Sequence, residues 1–233
     1  MNWNLTPLEL DALVLSLKVG VWTSVASVPF AIAVAWVLAR KRFWGHGLLN
    51  AFVHLPLVVP PVVVGYVLLV TFGRTGAVGA WLYETLGITL AFDWKGAVVA
   101  AAVMAFPLMV RAMRLSLEAI DPGLEKAART LGAKPARVFV TITLPLMLPG
   151  IVTGVVLAFA RALGEFGATI TFVSNIPGQT QTLPLALYNF TQVPGGEANA
   201  MRLAVLSIVV ALGALLASEI LARRVQRMTG GSA

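Results

Sequence analysis

Cysteine is absent from the sequence, and histidine occurs only twice, at His46 and His54. The first absence removes disulfides and thiolate metal sites. The two histidines stand far apart without an Asp or Glu at ligand spacing, which argues against a metal centre and against imidazole acid–base chemistry; His54, beside a proline cluster, reads as a packed or pore-edge polar group. Charge is scarce too: Asp, Glu, Lys and Arg make up 12% of the residues, against roughly one quarter in an average soluble domain. No Gly-x-x-x-x-Gly-Lys-Ser/Thr run occurs, and Gly73-Arg74-Thr75-Gly76-Ala77-Val78-Gly79 has the wrong spacing to cradle phosphate. No nucleotide is therefore expected on this chain. No basic n-region precedes the first apolar run, whose approach carries Glu9 and Asp11, so that run is expected to be retained rather than cleaved.

What the chain has in excess is apolar surface. Of its 233 residues 58% are hydrophobic, and the mean hydropathy is +0.87. A soluble fold of this size has no interior large enough for so many apolar side chains, whereas a bilayer solvates them directly. The net charge of +7 would suit nucleic acid only if the basic groups were gathered on one water-facing patch. They fall instead between long apolar runs, and no nucleic-acid partner is expected.

Five stretches are long and apolar enough to span about 30 Å of hydrocarbon: Ala12 to Ala39, Leu48 to Phe72, Gly96 to Leu117, Leu146 to Gly164, and Arg202 to Ala222. Val78 to Gly87, with Trp81 and Tyr83, reads as a short interfacial helix. Gly164 to Gln192 is long, mixed and interrupted by Pro177 and Pro184, which leaves a re-entrant piece and a sixth crossing open. Short loops rich in Lys and Arg stay on the cytoplasmic side. One side collects Arg40, Lys41 and Arg42, then Arg111, Arg114, Lys126, Arg129, Lys134 and Arg137, then Arg223, Arg224 and Arg227; the other has Arg74, Lys95 and Arg202. Five crossings then put the N-terminus outside and the C-terminus inside, with Trp36 and Trp44 as headgroup-level anchors beside the Arg40 cluster.

Prolines stand inside the spans at Pro29, Pro56, Pro60, Pro61, Pro107 and Pro149. Each removes a backbone donor, which hydrocarbon tolerates only where neighbouring helices or a wet cavity compensate. Simple kinking accounts for any one of them. Three within Leu55-Pro56-Leu57-Val58-Val59-Pro60-Pro61 predict a broken helix beside a pathway.

Between the third and fourth stretches, Asp121-Pro122 reads as an N-cap with proline at the first helical position, and Gly132 as a left-handed stop. A second start follows at Lys134-Pro135, and Ile142-Thr143-Leu144-Pro145 leads into the next span. Ala127 and Ala128 are small, so a partner can approach that face closely; the alternative is an amphipathic connector lying on lipid headgroups through Arg129, Lys134 and Arg137. Glu125-Lys126-Ala127-Ala128, Gly132 and Ile142-Thr143-Leu144-Pro145 resemble the EAA loop of ABC-importer permeases, whose pattern is Glu-Ala-Ala, three residues, Gly, nine residues, Ile-x-Leu-Pro. The sequence departs from it at Lys126, where the pattern has Glu; the acidic residue sits one position earlier, at Glu125.

The resemblance covers nearly the whole chain. His54 to Tyr66, Phe106 to Ala112 and Leu163 to Gly178 are similar to the molybdate permease subunits of bacterial ABC importers, more than to the related sulfate/thiosulfate permeases. It implies an all-α, polytopic type I permease forming a single transmembrane domain over 1–233, with a coupling loop at about 121–145. It also implies a multi-pass inner-membrane homodimer served by a periplasmic molybdate-binding protein and a cytoplasmic ATPase dimer, where ATP and Mg bind. Molybdate, and tungstate with it, is the implied cargo. ATPase contact is implied for Glu125, Ala127, Ala128, Gly132, Ala133, Ile142, Leu144 and Pro145. The competing classes are an ion-coupled secondary transporter, for which neither buried acidic residues nor internal repeats stand out, and an assembly factor without transport.

Ionisable groups inside spans are candidates for function because lipid penalises them. Lys18 lies near the outer interface and can snorkel; Glu219 and Arg223 are positioned to pair. Arg161 and Glu165 stand four apart, so a local ion pair is the leading reading. The other has Arg161 attracting an oxyanion while Thr169, Ser174 and Asn175 offer neutral hydrogen bonds, on a pathway that includes Pro60, Pro61 and Glu165 and holds its solute weakly.

Overall fold

The computed structural model describes residues 5–228, and at 218, 219 and 221–228 the backbone alone. Expectations for Glu219, Arg223, Arg224 and Arg227 thus fall on side chains outside the described ones. Helices make up the fold, and no strand occurs among the described residues. Helix α1 (Pro7–Arg40) begins before its apolar stretch because Thr6 and Glu9 form a capping box: Glu9 N–H donates to Thr6 Oγ1 at 3.3 Å and Thr6 N–H to Glu9 Oε2 at 2.8 Å. Pro29 is accommodated within it.

The second stretch is not one straight helix. Helix α2 (His46–His54) runs into a 3₁₀ turn at Leu55–Leu57, and α3 (Pro61–Phe72) leaves at 108° to that arm. The break falls where the prolines stand: Pro60 is extended (φ −53°, ψ 134°) and Pro61 opens the new helix, where its missing donor costs nothing. Helix α4 (Ala77–Leu86) is the expected short helix, and α5 (Trp94–Glu118) is a full span. Helices α6 (Pro122–Thr130) and α7 (Pro135–Val138) form an elbow; a π turn at Phe139–Thr143 joins α7 to α8 (Leu144–Leu163). Helix α8 is therefore the end of a 29-residue rod starting at Pro135, not a span beginning at Leu146. Prolines 135 and 145 sit where helices start, so neither breaks the rod.

Helices α9 (Gly167–Val173) and α10 (Leu183–Thr191) follow, and α11 (Glu197–Met228) closes the described chain. Among the described residues no helix supplies the sixth crossing that the sequence left open. Nine helical residues rise only about 14 Å, and the described residues provide four long apolar helices plus the bent α2–α3 pair, at most five crossings.

The bundle centres on α1, α5 and α8, which meet through small residues: Ala31 and Ala35, then Ala100, Ala101 and Ala105, then Gly150, Gly154 and Ala158. A Cβ on Gly154 would lie 3.1 Å from the Met109 carbonyl oxygen, and one on Gly150 would meet Ser116. Without water to drive apolar association inside lipid, this close backbone approach supplies the packing energy. Met109, Met113, Leu117 and Met147 fill the space left beside it.

Long-range bonds sort the helix ends into two groups. At one end Glu9 meets Arg202, Ser16 caps α10 through Leu183 N–H, and Lys18 lies over Trp94. At the other, Arg40 reaches Ile120 and Glu125, and Arg114 reaches Asn50. The Arg40–Lys41–Arg42 cluster and the basic elbow thus share one end of the bundle.

Candidate coupling segment and pathway

Helix α6 forms as its sequence dictates. Asp121 Oδ1 accepts from Gly123 N–H at 2.8 Å, Pro122 takes the first position, and Gly132 turns left-handed (φ 84°) after the last turn. None of its residues is buried. Leu124 is 49% exposed and Leu131 87%, apolar side chains that the described residues leave open to the outside. Ala127, Gly132 and Pro145 are also exposed, while Ala128, Ala133, Ile142 and Leu144 are half-buried.

Glu125 faces the opposite way. Its Oε1 accepts from Arg40 Nη2 at 3.2 Å and from the Thr143 hydroxyl at 2.9 Å, while the same guanidinium donates to the Ile120 carbonyl at 3.5 Å. The side chains of Arg40 and Glu125 are 15% and 12% exposed, and Thr143 is buried. One carboxylate oxygen thus ties the elbow to the end of α1 and the start of α8. The displacement of the acidic residue from Lys126 to Glu125 turns it inward, away from the face that carries Leu131. Sequence reasoning read Arg40 only as a topology signal; nothing local connects residues 85 apart.

Around the bend, Pro61 meets the start of α9: a Cβ on Gly167 would lie 2.8 Å from Pro61 Cβ. Gly65 lets the two helices close further, since a Cβ there would come within 2.9 Å of Ala168 Cα. Glu165 stands just before α9 and is 2% exposed. Its Oε1 accepts from Ala168 N–H at 2.9 Å, and Oε2 lies 2.6 Å from Arg161 Nη1. Of the two readings of Arg161, the geometry has the local ion pair. The structure thus sets Pro61 against the start of α9 and Arg161 against Glu165 just before it, with Thr169 buried in the first turn of α9.

Ser174 lies at the far end of α9, with a positive φ of 65° and an extended ψ of −164°, and its carbonyl accepts from Thr180 Oγ1 at 3.3 Å. Asn175 is occupied too: Nδ2 donates to the Leu185 carbonyl and Oδ1 accepts from Gln181. The loop to α10 is thereby closed on itself. His46 and His54 each hydrogen-bond a backbone carbonyl, of Leu38 and Asn50 respectively.

A second ion pair was not anticipated. Glu9, fully buried, accepts from Arg202 Nη2 at 3.0 Å, and the same nitrogen donates to Asn199 at 2.7 Å. The Thr6-x-x-Glu9 signature was legible as a cap; its second use, fixing α11 to α1, was not. Lys18, expected to snorkel, places its ammonium 3.5 Å from the centre of the Trp94 ring, a cation–π contact.

Long apolar helices, one of them broken, wrapped around small-residue seams and carrying a projecting basic elbow, define an integral membrane permease subunit rather than an enzyme. The family model for the binding-protein-dependent transport system inner membrane component matches residues 27–228. The molybdenum transport system permease protein ModB of Escherichia coli (strain K12) is 62% identical over 219 residues, covering 94% of this chain and 96% of that protein. Its namesake in Haemophilus influenzae is 58% identical over 223 residues, covering 96% and 97%. A sulfate transport system permease protein, CysW of Synechocystis sp., is 36% identical, covering 90% and 76%. Among solved structures, a chain of a bacterial alginate ABC transporter, in complex with an alginate pentasaccharide-bound periplasmic protein, superposes with a TM-score of 0.74 at 18% identity, covering 98% of this chain and 82% of that one. The chain belongs to the binding-protein-dependent transport system inner membrane components, and it shares the fold of ABC-importer permeases.

Proposed function

We propose that this chain is the permease subunit of an ATP-driven importer that carries molybdate, and tungstate with it, across the inner membrane. The observation that carries the reading is the identity of about three residues in five with two molybdenum permeases over nearly the full length of both partners. The 36% identity to a sulfate permease is the more distant likeness. The chain forms one transmembrane domain and works as two copies, since five spans enclose little volume for an oxyanion. A periplasmic binding protein delivers the anion to the outer loops, chiefly 73–95 and 164–201. A cytoplasmic ATPase dimer, holding ATP and Mg, seats the elbow of α6 and α7 through Ala127, Ala128, Gly132 and Leu131.

Orientation follows from the basic end of the bundle, which faces the cytoplasm by the positive-inside rule; the N-terminus is then periplasmic and the C-terminus cytoplasmic. Closure of the ATPases pushes the elbow, and the rod from Pro135 to Leu163 carries the push to Glu165. Arg161 stands beside the route with its charge offset by Glu165, so neutral groups handle the anion and release it readily.

Reconstitution in liposomes with the ATPase and a molybdate-binding protein tests the proposal. Molybdate and tungstate are expected to stimulate hydrolysis and uptake, with sulfate ineffective. Stimulation by sulfate alone, or uptake driven by an ion gradient without ATPase, would overturn it.

A further inference from the structure

A groove of about 500 Å³ opens between α1 and the elbow. Its long wall is one stripe of α1, Pro29, Ile32, Ala33, Trp36 and Val37, and its other side is Val138 and Phe139 with the Glu125–Arg129 edge of α6. The lining is divided along its length. From Pro29 to Trp36 it is apolar for about 10 Å, seven residues at helical rise. Beyond Trp36 it becomes basic: Arg129 edges the groove, and the Lys41 ammonium sits 5.2 Å from the centre of the Trp36 ring. The only carboxylate in the lining, Glu125, is already matched by Arg40 at 3.2 Å. Arg129 has no ion pair among the described residues, so the basic end carries an unneutralised charge.

Both zones lie at the same end of the bundle, where α1 passes from hydrocarbon to headgroup level and Trp36 marks the boundary. A solute of the aqueous phase does not match the apolar wall, and a purely apolar partner does not match the cations. A molecule with an apolar chain and an anionic head complements both. We infer that this groove is a binding site for an anionic phospholipid: one acyl chain lies along Pro29, Ile32 and Ala33, and the headgroup phosphate is held by Arg129 and Lys41. The site rests on the proposed orientation only in assigning the lipid to the inner leaflet. Because Glu125 and Arg129 belong to α6, an occupied groove braces the elbow against α1, so the composition of the membrane enters the coupling step.

Trp36 is a built-in reporter. The full-length permease is incorporated into nanodiscs of phosphatidylcholine doped with phosphatidylglycerol whose acyl chains carry bromine, a fluorescence quencher, and in parallel with brominated phosphatidylcholine. The Trp36 contribution is the part of the quenching lost in Trp36→Phe. The brominated anionic lipid is expected to quench it at about a thirtyfold lower mole fraction, the scale set by two basic side chains at a charged interface. Arg129→Gln with Lys41→Gln, both on water-facing groups, removes that preference. Ala33→Phe, which fills the apolar zone, reduces quenching by both lipids. Inorganic phosphate added at the same phosphate concentration is expected to leave the quenching unchanged; competition by it would assign the cations to a soluble anion and overturn the lipid site. Equal quenching by the two lipids, meaning ordinary annular contact, would overturn it too, as would none, meaning a second copy or a partner protein fills the groove. The readout needs no transport or hydrolysis, so its failure is separate from any failure of the molybdate reading.

Discussion

Glu125 holds two donors on a single carboxylate oxygen, and those donors come from elements far apart in the chain. Replacing it with Ala strands the Arg40 guanidinium, whose Nε is already buried without a partner, and frees Thr143. The expected cost is about 2–3 kcal/mol, that of removing a hydrogen-bonded partner from a largely buried charge, read as a lower melting temperature in detergent. A lower ratio of substrate-stimulated to basal hydrolysis in the reconstituted complex accompanies it, and Arg40→Glu combined with Glu125→Arg recovers part of that ratio. Glu9 differs in kind, being fully buried with one oxygen on the Arg202 guanidinium and the other on Thr6 N–H. Glu9→Ala is expected to destabilise by about 3 kcal/mol, because Arg202 keeps its charge and loses the carboxylate that balances it. Glu9→Leu with Arg202→Met restores most of that loss. If the single substitution leaves the thermal midpoint unchanged, the pair is not what fixes α11. Neither partnership was visible in the sequence, where Arg40, Glu9 and Arg202 carry only local meanings. Arg161 and Glu165 were visible because helical spacing alone brings them together.

Among the elements, those written in local chemistry were legible. The Asp121–Pro122 start, the Gly132 stop and the proline break at residues 60 and 61 all stand where short-range rules put them. What was missed is that the start read at Lys134-Pro135 runs on without a break into the fourth span. Ile142-Thr143-Leu144-Pro145 read as the lead-in to a separate span, yet Pro145 occupies a first-turn position, and the π turn before it is specified by no short motif. The residues at 164–192 misled for another reason: their apolar character suits packing inside the bundle as well as crossing it, and Phe172, Val173 and Leu185 are fully buried. Gly132 gives the sharpest test at this scale. Its φ of 84° costs a residue with a Cβ about 1–2 kcal/mol, too little to unfold the spans, while nothing within 4 Å resists the added side chain. Gly132→Trp is therefore expected to leave helix content and yield unchanged and to abolish binding-protein-stimulated hydrolysis. Normal uptake by this variant would exclude the elbow as the ATPase contact.

For the whole molecule the decisive quantity is which end of the bundle faces the cytoplasm. The chain has no native thiol, so Lys134→Cys introduces a single reporter on the exposed elbow. An impermeant maleimide is expected to label it in inside-out vesicles and not from outside intact cells; the reverse pattern would invert the topology. Much of the architecture at this scale follows from hydropathy and the sidedness of Lys and Arg, because lipid forces every span to be helical. What hydropathy does not give is how the spans meet. That depends on small residues such as Gly65, Gly150 and Gly154, whose importance appears only once the opposing backbone is known.

The uninterrupted course from Pro135 to Leu163 makes α7 and its span a single crank about 43 Å long, joined to α6 through the turn at 131–134. No loop interrupts the helix between α7 and Leu163, so on the proposed coupling a thrust that reaches α7 arrives beside Glu165 within the same stroke. Within the rod itself the stroke can shorten at the π turn of Phe139–Thr143 and at the helix interior around Pro149. Stiffening either one should lengthen the travel at the tip for the same work done at the handle.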